Sequence, residues 1–311
     1  EMPLMDVLAR MELTGVAVEP AELVAMSREM QAELQDIERE IYASVGHEFN
    51  IGSPQQLSQV LFEELGLPKT RKTKLGYTTD AASMDNLRGA HPVIDLIMRY
   101  RGMSKLKSTY VDALPAIINP KTKRVHTTFN QVTAATGRLS SNDPNLQNIP
   151  VRTGYGNRIR HAFVARDIGK DPMLLAADYS QIELRIMAHL SQDPALIDAF
   201  LSDEDIHAAT ASNVFNVPFD EVTSEQRRRA KVFNFGVLYG LSEYGLSTKE
   251  RIPREEAATF IRRYFEKYEK IRAWRDGAIE SCRNLGYAET LMGRRRYIPE
   301  IKSQNFQIRG S

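Results

Sequence analysis

The sequence has little of what would place it in a specialised class of protein. Cys282 is its single cysteine, which excludes an intrachain disulfide and a zinc site built from several thiolates. No apolar run approaches the roughly 18 residues of a membrane helix, and no charged and then apolar leader opens the chain. The formal net charge is only +1, so no overall positive field indicates a nucleic-acid partner. Any site for a polyanion must be built from local groups of cations.

What is present is an ordinary globular composition, with 42% hydrophobic and 26% charged residues over 311 positions. That length suggests about two domains. In residues 22–44 apolar side chains recur every three or four positions, which predicts a long amphipathic helix. Residues 124–130 and the apolar run 173–177 predict strands, the second of them buried, and the pattern from residue 182 onward is helical. The sequence therefore predicts an α+β fold, rich in helix, with one small sheet.

An acid follows the second predicted strand. Asp178 comes directly after the run 173–177. A carboxylate at the end of a buried strand is costly unless it is paired or binds a metal ion. Mg²⁺ is the natural ion, because it takes one or two carboxylates together with substrate phosphates. An alternative explains this residue equally well: Asp178 caps the next helix through Ser180.

A stripe of four side chains marks a second candidate site. At about 100° per residue, positions four apart on a helix drift only about 40°, so the four lie on one slanted face. The stripe consists of Arg227, Lys231, Phe235 and Tyr239. Two cations followed by two aromatics match the phosphates and the base of a nucleoside triphosphate. The alternative is a core-facing aromatic helix whose cations reach past it to water.

Glycines in the same helix favour the functional interpretation. Gly236 and Gly240 lie within it, and a helical glycine costs about 1 kcal/mol, which indicates a steric requirement. His207, in the sequence Asp-Ile-His, is a further candidate for contact with phosphate, although an isolated histidine is more often structural. The chain has no Walker A pattern, no dinucleotide glycine fingerprint and no nucleophile elbow.

Cations cluster in two further segments. Residues 69–74 hold four cations interleaved with threonines, which predicts either a flexible basic loop or a phosphate contact. The helix expected after Pro92 carries Arg99, Arg101, Lys105 and Lys107, which predicts a basic surface rather than a mixed one.

Several segments together resemble the family A DNA polymerases, the bacterial DNA polymerase I group. Residues 178–185, Asp-Tyr-Ser-Gln-Ile-Glu-Leu-Arg, resemble motif A of that family, and residues 227–240 resemble its motif B. Further similar segments follow the family's order and spacing: 100–110, 136–141, 145–150, 205–207 and 293–297. The resemblance covers essentially the whole chain. It implies a right-hand fold of palm, thumb and fingers with an incomplete antiparallel palm sheet.

The resemblance also divides the chain. Residues 1–20 would form the first part of the palm and residues 21–113 the thumb. Residues 114–181, with motif A, would return to the palm, and residues 182–311, with motif B, would form the fingers. The remainder of the palm is absent from these 311 residues.

Motif A implies a metal and sugar site. Asp178 would bind two Mg²⁺ ions, and Tyr179 would add its backbone carbonyl. Gln181 would contact the nucleotide, and Glu183 would be the steric gate that rejects a ribose 2′-hydroxyl. The two ions would serve the two-metal scheme of phosphoryl transfer.

Motif B and its neighbour imply the nucleotide site. His207, Arg227 and Lys231 would hold the incoming triphosphate, and Lys231 would also protonate the leaving pyrophosphate. Phe235 would stack near the sugar and base, and Tyr239 would lie on the template side of the insertion site.

The remaining matches imply contacts with primer-template DNA, including a basic thumb loop over the minor groove. The implied DNA-binding residues are Lys69, Arg71, Lys72, Lys74, Arg101, Lys105, Lys107, Arg138, Gln147, Asn148, Arg294 and Arg295. The implied activity is template-directed addition of dNTPs to a primer 3′-hydroxyl, in DNA replication and repair. We expect a monomeric, cytoplasmic bacterial protein that associates with the nucleoid through DNA.

The sequence departs from the family in one respect. The family's second metal-binding carboxylate lies in a His-Asp-Glu motif, and no His-Asp-Glu occurs here. The chain begins at Glu1 and ends at Ser311 without a helix stop, so we expect a piece of a longer protein that is inactive or nearly inactive alone. Two alternatives remain: a fragment that binds primer-template without chemistry, and a relative of the single-subunit RNA polymerases. Glu183 and Phe235 favour deoxynucleotides as substrates, which argues against the RNA polymerase alternative.

Overall fold

The computed structural model describes residues 1–74, 76–150, 154–166 and 169–309. The end of the chain at Ser311, where the sequence shows no helix stop, lies outside the described residues. The chain divides into an N-terminal unit, Glu1–Leu175, and a C-terminal unit, Ala176–Ser311. The boundary falls inside the segment 114–181 that the resemblance assigned to the palm, and that assignment stays a prediction. Within the described residues, no helix is both long and apolar enough to cross a membrane.

The N-terminal unit is mostly helical. Its helices are α1 (Met2–Thr14), α2 (Pro20–Val45), α3 (Pro54–Gln59), α4 (Ala81–Asn86), α5 (Val93–Leu106), α6 (Ala113–Ala116) and α7 (Gly154–His161). Wider π turns extend α3 over Val60–Glu64 and α5 over Lys107–Val111, and Leu146–Asn148 forms a 3-10 turn. Its strands are β1 (Val16–Val18), β2 (Lys72–Thr73), β3 (Gly76–Tyr77), β4 (Arg124–Val125), β5 (Thr128–Asn130), β6 (Ser140–Asn142) and β7 (Phe163–Val164).

The long helix α2 confirms the predicted periodicity. Pro20 occupies its first turn, where no backbone N–H is needed, and Gly46 ends it with a φ of 94°. The buried stripe of α2 is Leu23, Met26, Met30, Leu34, Ile37 and Ile41. It packs against α5 in the core of the unit. Burial of each such side chain is worth about 1.5–3 kcal/mol, so this face fixes the position of the helix.

The predicted strand 124–130 is two strands with different partners. β4 pairs with β1, which also pairs with β7, whereas β5 pairs with β6; all three pairings are antiparallel. Thr127, between β4 and β5, is buried, and its hydroxyl lies 2.7 Å from the hydroxyl of Ser141. These side-chain bonds interrupt the strand. The expectation of one small sheet was therefore wrong, since the described residues form several.

The prediction of a buried strand over 173–177 was also wrong. These residues belong to no helix or strand, and Met173 and Leu175 are 89% and 92% exposed. A strand is stable only when its backbone pairs with a neighbour and one face is covered. Among the described residues no strand pairs with this run.

The C-terminal unit is built almost wholly from helices. They are α8 (Ile182–Ser191), α9 (Pro194–Leu201), α10 (Ile206–Phe215), α11 (Ser224–Leu238), α12 (Glu243–Glu250), α13 (Arg254–Lys267), α14 (Glu269–Leu285) and α15 (Phe306–Arg309). Two 3-10 turns, Phe219–Glu221 and Pro299–Lys302, and two strands, β8 (Tyr287–Glu289) and β9 (Arg295–Tyr297), complete the unit. One cluster of buried residues joins α8, α9, α13 and α14, and a second joins α10, α11, α12 and α13.

The helical prediction for this unit was right except at residues 287–297. There β8 and β9 form an antiparallel hairpin in which Tyr287 faces Tyr297. The two rings lie 5.7 Å apart edge to face, and Glu289 pairs with Arg295 across the strands. Cross-strand pairs of these kinds stabilise a hairpin, but three-residue strands carry too short an alternation to be recognised in a sequence.

One buried carboxylate serves two helix N-termini. Asp193 is 2% exposed and precedes α9. One of its oxygens accepts the backbone N–H of Leu196 at 3.2 Å, and the other accepts the N–H of Lys270, in the first turn of α14, at 3.1 Å. Helix N-termini leave unpaired N–H groups and favour negative charge, so Asp193 holds the starts of α9 and α14 together.

We expect Asp193→Ala to lower the free energy of unfolding by about 2–3 kcal/mol, because it removes two caps and leaves buried donors unpaired. Urea unfolding of the 311-residue chain measures the change. Asp198→Ala, at an exposed position of α9, is the matched control and should change stability by less than about 0.5 kcal/mol. Equal effects of the two substitutions would contradict the double cap.

Candidate functional site

Helix α11 begins at a reciprocal cap. The hydroxyl of Thr223 accepts the backbone N–H of Gln226 at 3.2 Å, and the side chain of Gln226 accepts the N–H of Thr223 at 2.9 Å. Both partners are the residue types of a capping box, which places the first turn of the helix. Whether the stripe faces the core or the solvent then depends on which face of α11 is buried.

The buried face of α11 is opposite the stripe. Its core residues are Ala230, Phe233, Asn234 and Val237. Arg227 and Lys231 are exposed, Phe235 is half-buried, and Tyr239 is 67% exposed. The interpretation of the stripe as a core-facing aromatic helix is therefore wrong, because other residues fill the core. The stripe faces outward, where a ligand can reach it.

The glycines that favoured a functional interpretation have a structural explanation. A Cβ at Gly236 would lie 2.6 Å from Cδ2 of Leu241, and one at Gly245 would lie 2.7 Å from its Cδ1. Gly240 has a φ of +74°, a conformation that glycine adopts without strain. Gly236 thus leaves room for Leu241 to fold back against α11, and Gly240, beyond the end of that helix, allows the chain to turn there.

Asp205 links the start of α10 to the stripe. One carboxylate oxygen accepts the backbone N–H groups of His207 and Ala208 at 3.0 and 3.1 Å, and the other accepts Nε of Arg227 at 2.5 Å. Burial raises the pKa of Asp205, but the bond from Arg227 and the backbone bonds outweigh burial, so the net shift is downward. Arg227 is thereby anchored with its remaining guanidinium donors available.

His207 lies beneath the stripe. It is only 4% exposed, its Nδ1 is 2.9 Å from Nδ2 of Asn234, and its ring centroid is 5.9 Å from that of Phe235. Burial, the largest cause, lowers the pKa of His207; the carboxylate of Asp205 opposes burial, and the charges of Arg227 and Lys231 reinforce it. The imidazole is therefore neutral at pH 7.

These contacts bring together Asp205, His207, Arg227, Lys231 and Phe235 on α10 and α11. Lys231 is exposed and, within the described part of the chain, makes no ion pair. The group combines a forked cation, a free ammonium, a neutral imidazole and an aromatic face. Groups of these kinds are suited in their chemistry to a chain of phosphates with an attached flat ring.

The motif A residues lie around the start of α8. Asp178 is exposed and Tyr179 is 79% exposed, in a segment outside any helix or strand. The residue before α8 is Gln181, with a φ of 51° and no side-chain cap bond, so the alternative of Asp178 as a cap through Ser180 is wrong. Glu183 lies half-buried in the first turn of α8.

The ligands implied for motif A are of the chemical type that Mg²⁺ binds, but they are too few to form a group of three side-chain ligands. The carboxylate of Asp178 and the carbonyl of Tyr179 are the hard oxygens that Mg²⁺ prefers. Across residues 1–74, 76–150, 154–166 and 169–309, no three His, Cys, Asp or Glu side chains are grouped to hold a metal ion.

Comparison with known proteins identifies the family. The chain matches DNA polymerase family A over residues 20–311. The chain belongs to this family. It is 53% identical over 311 residues to the thermostable DNA polymerase I of Thermus thermophilus, covering 99% of this chain and 37% of that protein. It is 50% identical over 309 residues to DNA polymerase I of Bacillus subtilis, with 99% and 35% covered.

A solved structure shows the same fold. The POL domain of Pol1 from M. smegmatis, in complex with DNA primer-template and dNTP, matches with a TM-score of 0.90 and 46% identity. The match covers 99% of this chain and 54% of that one. The family A polymerase fold predicted from the motifs is thus confirmed. The chain spans a little over a third of the length of the curated relatives that it matches.

In this family A chain, part of the basic segment 69–74 forms the short strand β2. Strand β2 pairs with β3, and the hydroxyls of Thr70 and Thr73 donate to backbone carbonyls at 2.7 Å. Those hydroxyls are bonded within the hairpin. Lys69 lies over the ring of Tyr77, 5.1 Å from its centroid. The cations of this segment, Lys69, Arg71, Lys72 and Lys74, are all exposed.

The basic surface predicted for α5 is a mixed one. Arg99 pairs with Glu33, and Lys107 pairs with Asp112 at 2.8 Å. Arg101 donates to the backbone carbonyl of Thr79 at 2.6 Å, and Lys105 is exposed and makes no ion pair within the described residues. Part of the error has a simple cause: Glu33, which neutralises Arg99, lies on α2, and periodicity within α5 does not reveal it.

The other implied DNA-binding residues are exposed in two places. Arg138, Gln147 and Asn148 are exposed around β6 and the 3-10 turn, and the hydroxyl of Tyr110 donates to the carbonyl of Asn148. Arg294 and Arg295 lie on the hairpin of β8 and β9, where Arg295 pairs with Glu289. Their roles in binding DNA stay predictions.

Sequence reasoning missed Asn234. It is fully buried on the core face of α11, where it contacts both His207 and Thr210. A polar residue at the helical spacing of Ala230 and Val237 was the available indication, because a buried amide requires hydrogen-bonding partners.

The pKa shift of Asp205 predicts a pH dependence. Its pKa is lower in the folded chain, so its charge stabilises the fold above the unfolded pKa, and this contribution is lost as the pH falls through the folded pKa. Asp205→Asn keeps a good N-cap residue and removes the charge. We expect the variant to be less stable than the wild type at neutral pH and equally stable in acid.

Urea unfolding at a series of pH values measures this difference. Asp198→Asn, the same change at an exposed position of α9, should leave the profile of the wild type unchanged. A difference between Asp205→Asn and the wild type that persists undiminished in acid would contradict the ion pair with Arg227.

Proposed function

We propose that the α10–α11 site binds the triphosphate of an incoming dNTP for template-directed DNA synthesis. The observation that carries the proposal is the outward-facing stripe of α11, with cations at one end and aromatic rings at the other. His207, at the start of α10, lies against this stripe. The groups along the stripe follow the order of the parts of a nucleotide. The phosphates would lie at Arg227 and Lys231, and the sugar and base at Phe235 and Tyr239.

The two cations have different roles in this proposal. Arg227 uses Nε to bind Asp205, so its other nitrogens form a fork of fixed direction for phosphate oxygens. Lys231 is a mobile point charge that follows the phosphates, and its ammonium is placed to protonate the leaving pyrophosphate. The neutral His207 adds a hydrogen bond without a third positive charge.

The reaction is transfer of the α-phosphoryl group of a dNTP to a primer 3′-hydroxyl. Catalysis of phosphoryl transfer rests mainly on positioning and on neutralising charge, which the α10–α11 residues supply. Asp178, with the carbonyl of Tyr179, would hold Mg²⁺, which supplies charge neutralisation at the phosphates when bound. Glu183 and Gln181 would select and position the sugar.

The DNA partner fits the distribution of cations. Template sequence is read by base pairing, so the protein needs contacts with shape and backbone rather than with base edges. The exposed cations of the β2–β3 hairpin, Lys105, and the group of Arg138, Gln147 and Asn148 would supply them. In this proposal residues 1–20 and 114–181 are palm, 21–113 thumb and 182–311 fingers. The protein acts as a monomer in the bacterial cytoplasm, on the nucleoid.

A second candidate is a chain that binds primer-template without chemistry. The absence of a three-acid cluster among the described residues favours it for these 311 residues taken alone. DNA binding that weakens steeply with salt, without nucleotide addition, is its signature. An RNA polymerase is not favoured, because the relatives named above are DNA polymerases.

Lys231 tests the proposal. We expect Lys231→Ala in the whole polymerase to lower the single-turnover rate of dNTP incorporation at least about tenfold, equivalent to roughly 1.4 kcal/mol. Lys249→Ala, which removes an exposed lysine from α12, is the matched control and should leave the rate unchanged. Normal single-turnover incorporation by Lys231→Ala would remove Lys231 from the mechanism.

A further inference from the structure

A chain of buried polar groups ends at His207. Asn234 is 0% and Thr210 is 1% exposed, although both lie among apolar side chains. The hydroxyl of Thr210 donates to Oδ1 of Asn234 at 3.0 Å, and Nδ2 of Asn234 lies 2.9 Å from Nδ1 of His207. At the other end, the hydroxyl of Tyr268 lies 3.4 Å from that of Thr210. The contacts form one line from the core of the unit to the stripe.

The direction of the hydrogen bonds along this line determines the tautomer of His207. If Tyr268 donates to Thr210, and Thr210 to Asn234, then the amide of Asn234 donates to Nδ1, and the ring carries its proton on Nε2. In the reverse direction His207 donates from Nδ1, and the last donor is the hydroxyl of Tyr268.

The reverse direction leaves a buried donor without an acceptor. Tyr268 is 1% exposed, and within the described residues Thr210 is the hydrogen-bond partner of its hydroxyl. A buried O–H with no acceptor costs about 1–3 kcal/mol. In the first direction each side chain of the line donates to the next, and Nε2–H of His207 is the donor left at the end; the second amide hydrogen of Asn234 is left over in either direction.

We propose that Asn234 is a positioning residue that keeps His207 neutral with its proton on Nε2, so that Nε2–H donates to a phosphate oxygen of the bound triphosphate. This inference rests on the proposed nucleotide site. It assigns a role to a buried residue that touches neither the nucleotide nor the reacting atoms.

The arrangement solves an electrostatic problem. Arg227 and Lys231 already place two positive charges near the imidazole, and both oppose its protonation. With the opposite tautomer, a neutral ring would present a bare nitrogen lone pair toward phosphate oxygens, and the contact would be repulsive. A fixed donor at Nδ1 removes that tautomer, so the ring donates without becoming charged.

The tautomer can be measured without any ligand. In the 311-residue chain labelled with [¹⁵N]histidine, coupling to hydrogen identifies the protonated ring nitrogen, and His207→Gln assigns the signal. We expect Nε2–H in the wild type. Asn234→Asp has the same shape but offers only acceptors when ionised, so we expect it to move the proton to Nδ1. Asn213→Asp, at an exposed position of α10, is the control and should leave His207 unchanged.

A second variant keeps the test decisive if Asn234→Asp does not fold. Thr210→Val conserves volume and leaves Asn234 in place but removes the donor that fixes its amide orientation. We expect both tautomers of His207 to be populated in this variant. A proton on Nδ1 in the wild type, or an unchanged Nε2–H in folded Asn234→Asp, would overturn the proposal.

Binding of tripolyphosphate to the same chain connects the tautomer to the site. Above the pH at which His207 titrates, we expect Asn234→Asp to weaken binding about tenfold, the loss of one hydrogen bond to a charged group. Below that pH both ring nitrogens carry protons, so the loss should shrink. Asp205, Arg227 and Lys231 face the ring in both proteins, whereas the new carboxylate at position 234 faces it in the variant only, so Thr210→Val, which adds no charge, must also weaken binding if the tautomer is the cause.

The two measurements separate two failures. If the wild type does not bind tripolyphosphate, the nucleotide site is wrong and this inference falls with it, while the tautomer result stands independently. If the wild type binds and Asn234→Asp binds equally at every pH, the nucleotide site survives and the role of Asn234 alone is refuted.

Discussion

The packing of α10 against α11 is the constraint on which the rest of the site depends. Helix α11 buries Ala230, Phe233 and Val237, and a helix has only one face to bury. Once those residues are inside, the positions of the stripe must lie outside. The core of the C-terminal unit therefore determines where Arg227 and Lys231 present their charges, although neither belongs to it.

Asp205 shows that structural and functional roles are not separable here. The same carboxylate accepts hydrogen bonds from the N–H groups at the start of α10 and restrains Arg227 of α11. Asn234 likewise belongs both to the buried face and to the contact with His207. A substitution at either position changes the relation between the two helices as well as the site. Activity of such variants must therefore be compared with their stability.

What the sequence could predict was local. The periodicity of α2 and the stripe of α11 follow from neighbours within a few residues, and both are found. The errors involve distant partners. No pattern within residues 173–177 shows whether another strand lies beside them, and no pattern within α11 shows that Gly236 makes room for Leu241. The motifs identified the family because they sample the whole chain at once.

The near-zero net charge is a count of residues, and it does not show which cations the fold pairs with carboxylates. Arg99 meets the carboxylate of Glu33 on α2, whereas Lys107 and Arg295 meet carboxylates five and six residues away, so the charges of these three cations are neutralised. A paired cation has fewer donors left for a polyanion, and Arg227, whose Nε is held by Asp205, keeps the rest of its guanidinium group for other acceptors. Lys231 makes no ion pair within the described residues, and it lies where His207 has been kept neutral. In the proposed site the phosphates would meet one cation that an ion pair holds in place, Arg227, and one with no ion pair among the described residues, Lys231, and the total charge reveals neither.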